Sequence, residues 1–164
     1  MAKALLITSF EVSDRLMQTN LEGISQEESR ALPAGGGNSI NWIAGHLLAS
    51  RNSILKLAGG EIYLGPEDAA PYARGSKRLM PGDKGLSVGR LREGLSETGK
   101  QVIKLLRALP AGALEREIEV SNFPVKFDEP TLEAHLSLLL YHEGYHVGQL
   151  GLARCVIGKG PQLK

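Results

Sequence analysis

Tyr141-His142-Glu143-Gly144-Tyr145-His146-Val147-Gly148-Gln149-Leu150 is the stretch whose reading decides this chain. On an α-helix, residues four apart differ by about 40° in direction and about 6 Å in rise, so the imidazoles of His142 and His146 leave one face a turn apart. Two histidines so placed on a Leu-rich helix can hold one ion, and an apolar face tolerates such polar rings only when they are partnered. Outward from this stretch, Thr131 is a helix cap, Glu133 and Ala134 lead into Leu138-Leu139-Leu140, and Gly160-Pro161 terminates a helix that reaches about Gly158.

Three more helices are read from apolar spacing. Leu6, Phe10, Met17 and Leu21 mark a stripe from about residue 3 to 22, with Leu5, Val12 and Leu16 beside it. After the breaker Pro33 to Gly37, Asn38 or Ser39 caps a helix through Trp42, Ile43, Leu47, Ile54 and Leu57 to a stop at Gly59-Gly60. Ser87 caps a helix that carries Leu91, Leu95, Val102, Leu105, Leu106 and Leu109 to Pro110. Residues 61 to 85 read as an irregular connection, and Ile118, Val120, Val125 and Phe127 alternate enough to predict a short hairpin or extended crossover. Connections of roughly 16 to 26 residues are too long for an up-down-up-down bundle, whose loops run about 2 to 8. The expectation is one all-α domain over residues 1–164, a four-helix bundle with a long crossover.

The chain has four histidines, and three lie between His135 and His146. The fourth, His46, sits mid-helix with Trp42 and Ile43 a turn before it and Ser50 a turn after, at the edge of an apolar stripe. If its helix neighbours the last one, His46 meets His142 and His146 across the core, and the three form a site with open coordination positions for Zn, Ni or a similar divalent ion. Gly45 beside it permits close helix approach. His135 is about 10 Å further along the axis, too far to share the ion, and reads as pocket lining or packing. Gln149, a turn beyond His146, is placed to bond a ligand ring or a substrate. Glu143 is the candidate for orienting a ring or accepting a proton, against the plainer reading of a surface carboxylate. Tyr145 and Trp42 read first as packing aromatics, Cys155 as a buried packing residue pointing away from the ligands, and Arg51 and Arg154 as solvated helix arginines.

His142 to His146 also spells H-E-x-x-H, the metalloprotease pattern. Its third ligand is missing: Gln149 and Leu152 occupy the positions of the extended motif, and no Asp or Glu follows Glu143. A zincin-type protease is therefore the weaker alternative.

Taken together, Asn41-Trp42-Ile43-Ala44-Gly45-His46-Leu47-Leu48 with Arg51, and the Tyr141 to Leu150 stretch about 100 residues later, resemble the paired signatures of the DinB/YfiT-like metalloenzyme superfamily. The resemblance spans essentially the whole chain. It implies a four-helix bundle with a long crossover, frequently homodimeric, whose metal ligands would be His46, His142 and His146. It also implies kinship with transferases and isomerases that use low-molecular-weight thiols such as bacillithiol or mycothiol. Where relatives often carry a basic residue after the last ligand, this chain has Val147.

Composition limits the remaining choices. Nineteen Lys and Arg against eighteen Asp and Glu leave a net charge of +1, with no basic footprint for nucleic acid or an anionic membrane surface. Hydrophobic residues at 42% and charged residues at 23% are globular values. The one cysteine excludes a disulfide framework, the N-terminus lacks the pattern of a signal peptide, and a cytoplasmic protein is expected. The leading functional reading is a metal-dependent enzyme, a thiol S-transferase or hydrolase, that activates a thiol or water against a small-molecule substrate. A non-catalytic module held together by its metal is the alternative, and a metal-free interaction protein the weakest.

Overall fold

A computed structural model describes residues 2–80, 82–120 and 125–160. Among these the chain is all-helical, with six α-helices and one 3-10 turn. The four long ones are α1 (Ala2–Leu21), α3 (Ile40–Leu57), α5 (Val88–Ala108) and α6 (Leu132–Val156), and α2 (Gln26–Arg30) and α4 (Pro66–Ala69) are short. Each of α1 and α3 packs against both α5 and α6.

The helix ends follow the capping residues read from sequence. Ser39, Ser87 and Thr131 each accept a hydrogen bond from the backbone N–H three residues on, at Trp42, Arg90 and Ala134. At the other ends of α3 and α6, Gly59 and Gly158 take positive φ. The bonds Gly60 N–H to Leu55 carbonyl and Lys159 N–H to Arg154 carbonyl close Schellman turns there. The short α2 went unread although its signal is local: Ser25 and Glu28 form a reciprocal capping box. In place of the wholly irregular 61–85 segment, Pro66 at a helix start and the 3-10 turn Ala70–Tyr72 give the connection structure. The hairpin expected over 116–127 is, in the described residues, a single antiparallel bridge between Glu117 and Thr131; residues 121–124 lie outside them.

The buried side chains form two apolar clusters. One holds Met17 and Leu21 of α1, Ile43 and Leu47 of α3, Leu91 and Leu95 of α5, and Val147 and Leu150 of α6. The other holds Leu6 and Phe10, Ile54 and Leu55, Val102 and Leu106, and Leu132 and Leu136 from the same helices. The order in which each helix crosses the clusters gives its sense: α1 and α6 run one way, α3 and α5 the other. Two neighbours of like sense, α3 and α5, cannot be joined by a short turn, so residues 58–87 must return along the whole length of the core. That crossover builds one wall of the site described next.

Between the clusters lies a polar layer with a contribution from every long helix: Ser13 and Asp14, Arg51, Thr98, and Glu143. The expectation that Arg51 and Arg154 are solvated is wrong, as their side chains are buried. Arg154 donates to the Asn20 and Glu22 carbonyls (3.0 and 2.6 Å) and ties the end of α1 to α6. Cys155, expected in the core, is exposed. The outer face of α6 explains the misreading: Tyr141, Tyr145, Leu152 and Val156 also face solvent, so an apolar residue type does not mark the inner side of this helix. No described helix is long and apolar enough to cross a membrane.

Candidate metal centre

His46 of α3 and His142 and His146 of α6 converge: one ring nitrogen from each lies within 4.8 Å of the others. The His46 and His142 Nε2 atoms are 3.1 Å apart. All three ring centroids are 4.5 to 5.0 Å apart, and Trp42 stacks flat on His46 at 4.8 Å.

Hydrogen bonding behind the rings fixes which nitrogen carries the proton. The Tyr72 carbonyl can only accept, so His46 donates to it from Nδ1 (2.7 Å) and keeps a lone pair on Nε2. His146 likewise donates from Nδ1 to Gln149 Oε1 (2.8 Å), while the Gln149 amide nitrogen donates to the Tyr145 hydroxyl (2.9 Å). The Nδ1 of His142 is buried and has no hydrogen-bond partner among the described residues. Burial pushes the pKa of His46 and of His146 down, and His46 adds to the effect on His146. For His142, burial and then the neighbouring His146, His46 and Arg74 lower it from 6.5 to about 4. All three imidazoles are therefore neutral at pH 7, the form that binds metal.

This donor set fits a divalent ion. Three neutral imidazoles, two of them held with their lone pairs directed inward, are the ligand type and number of catalytic zinc sites, whose Zn–N bonds of about 2.0–2.1 Å place nitrogens roughly 3.4 Å apart. The 3.1 Å approach of His46 to His142 is close to that spacing.

The site lies against a cavity of about 570 Å³ lined by Trp42, His46, Ser50 and Ser53 of α3, Arg74 and Gly75 of the crossover, and Leu138, Leu139, Tyr141, His142, Tyr145 and His146 of α6. Trp42 is thus both buried and part of this wall. Ser50 and Ser53 continue the His46 face at helical spacing, a signal present in sequence. Arg74 and the Tyr72 carbonyl have no such signal, because they reach the site from a connection distant along the chain. Gly45 does permit a close approach, but of Tyr72: a Cβ at this position would overlap the Tyr72 ring.

The other sequence candidates fall elsewhere. Gln149 bonds the His146 ring as its spacing suggested. His135 is buried near the start of α6, with Nδ1 against the Thr131 carbonyl (2.8 Å) and its ring edge-on to Phe127, and does not line the cavity. Glu143, the catalytic candidate, is neither at the cavity nor on the surface. Its side chain is fully buried, and Oε1 accepts from Arg51 Nη2 (2.7 Å), Arg51 Nε (3.2 Å) and Ser13 Oγ (3.1 Å). One residue along a helix turns the side chain about 100°, enough to put Glu143 in the polar layer while His142 faces the cavity. Arg51 also donates to Asp14 (3.1 Å) and to the Leu95 carbonyl (2.8 Å). Burial outweighs Arg51's pull on Asp14 and raises its pKa. Val147 packs in the core, so this position cannot serve as an anion contact.

An all-helical protein with a trio of histidines able to hold a metal ion is the class that fold and site define. The model of the DinB superfamily matches residues 9–150, and the chain belongs to that superfamily. Comparison with curated proteins finds no match.

Proposed function

We propose that the protein is a metal-dependent enzyme that activates a thiol or a water molecule for transfer to, or hydrolysis of, a small molecule. The observation that carries this reading is the convergence of three neutral histidines beside an open cavity, without a fourth protein ligand in the cluster among the described residues. A divalent ion such as Zn or Ni held by three histidines would lower the pKa of bound water to about 7 or favour the thiolate form of a bound thiol. The chain's own residues do the rest. Tyr72 and Gln149 orient two of the rings, Leu138, Leu139 and Trp42 give the cavity apolar lining, and the Ser50, Ser53 and Tyr141 hydroxyls are available to a substrate. Openness favours catalysis over a purely structural metal, because structural sites are closed by four protein ligands.

The purified protein is expected to hold about one divalent ion per chain, and His142→Ala or His146→Ala to weaken retention by about 100-fold or more, read by metal analysis after dialysis. Unchanged retention in both variants would exclude this ligand set. A panel of low-molecular-weight thiols offered with an electrophilic substrate should show turnover that chelation abolishes. Turnover indifferent to chelation would sink the enzymatic proposal.

The proposal extends to a homodimer through α6. Tyr141 is 75% exposed, and it continues through Tyr145, Gly148, Leu152 and Val156 as an outward stripe free of charge. A helix apolar on all sides is ordinarily covered on all sides. Sedimentation equilibrium should give a dimer that Leu152→Glu converts to monomer; a monomeric parent chain would refute it.

A further inference from the structure

The metal-site cavity is lopsided in charge. Its lining includes three neutral histidines, two serines, two tyrosines and one arginine, Arg74, but no carboxylate. A divalent ion on the histidines would add positive charge that no lining side chain offsets. Other arginines near the core are engaged: Arg51 and Arg154 as described, and Arg30 on the Asp83 and Gly85 carbonyls. Arg74 is exposed at the cavity wall, and among the described residues no hydrogen bond or salt bridge engages its guanidinium.

We propose that the cavity takes a small molecule carrying an anionic group, carboxylate or phosphate, which the Arg74 guanidinium binds while another part of the molecule faces the three histidines. The guanidinium fork matches both anions and binds them more strongly than it does a neutral acceptor. Leu138, Leu139 and Trp42 also line the cavity and offer apolar surface to the body of the ligand. This inference names the substrate class for the site proposed above and rests on its being a substrate cavity. The residue is supplied by the crossover just after Tyr72, whose carbonyl holds His46, so the backbone that orients a metal ligand also sets the anion contact two residues later.

Trp42 is the single tryptophan in the chain and lies in the cavity wall, so its fluorescence reports directly on occupancy. Zinc-loaded protein titrated at constant ionic strength should respond to 3-mercaptopropionate at about tenfold lower concentration than to 2-mercaptoethanol, the gain expected of one partly exposed charge-assisted contact. Arg74→Ala should erase that preference and leave the response to 2-mercaptoethanol unchanged, and Arg74→Lys should keep part of it. Equal responses to the two thiols in the parent protein, or a preference that survives Arg74→Ala, would overturn the inference. If neither thiol is bound, the thiol reading of the function fails separately, and succinate and inorganic phosphate titrated into the metal-free protein decide the anion site. A Trp42 response to either that Arg74→Ala abolishes supports the site and tells carboxylate from phosphate; no response to either overturns it.

Discussion

Two polar groupings join α3 to α6, and they resolve their burial in opposite ways. Arg51 and Glu143, each almost wholly buried, answer one another's charge, with Ser13, Asp14 and the Leu95 carbonyl taking up most of the remaining hydrogen-bonding capacity. His46, His142 and His146 stand within a turn and a half in sequence, uncharged, and two of them are held so that their lone pairs point at the same space. The first grouping answers its charges within the protein, although among the described residues Glu143 Oε2 has no hydrogen-bond partner. The second binds the Nδ1 atoms of His46 and His146 from behind, leaves the Nδ1 of His142 without a partner among the described residues, and keeps its inner nitrogens for something from outside. Paired charges mark a structural element, and convergent unspent acceptors mark a binding site, even where both are largely withdrawn from solvent.

The sharpest way to break this contrast is at Arg51. Arg51→Ala would leave Glu143 a buried carboxylate without its cation, a change that costs about 3–5 kcal/mol, so the urea midpoint of the metal-free protein should fall steeply. Alanine at His142 removes no charge partner and should leave that midpoint nearly in place. Similar losses for the two variants would mean that the groupings do not differ in kind.

A smaller effect sharpens the contrast through two glycines. Gly45 gives Tyr72 room to lie against α3, and Gly99 gives Asp14 and Arg51 room against α5. Gly45→Ala should displace Tyr72, free the His46 ring and weaken zinc binding by about 10-fold, in the range typical for losing a partner behind a ligand. Gly99→Ala crowds only the ionic layer and should leave zinc affinity unaltered. Competition titration against a chromogenic chelator reads both, and equal affinities for the two variants would show that Tyr72 does not position His46.

The contrast also explains which parts of the molecule were legible beforehand. The i, i+4 pair on α6 and the His46 face are local: their directions follow from helix geometry, and Ser39, Ser87 and Thr131 announced where the helices start. Gln149 was legible for the same reason, being one turn from His146. Glu143, read as a ring-orienting or proton-accepting group or else a surface carboxylate, is instead buried on Arg51, because the cation it pairs with comes from another helix. Arg51 and Arg154 were misread because a buried arginine is rare unless its partners are at hand, and those partners come from other helices. Nothing in residues 61 to 85 foretold that Tyr72 and Arg74 would wall the cavity.

The sequence by itself determined the helices, their caps and the His142–His146 pair able to share an ion, since each depends on spacings of one to four residues along a single element. Tertiary structure decided which carboxylate is locked in an ion pair, which carbonyl fixes the proton on His46, and which cation faces the cavity. Those outcomes depend on which helices become neighbours and on the path of a crossover that must travel the length of the core. Spacing along one helix cannot encode an encounter between segments tens of residues apart; only packing, which buries all of them at once, sets it.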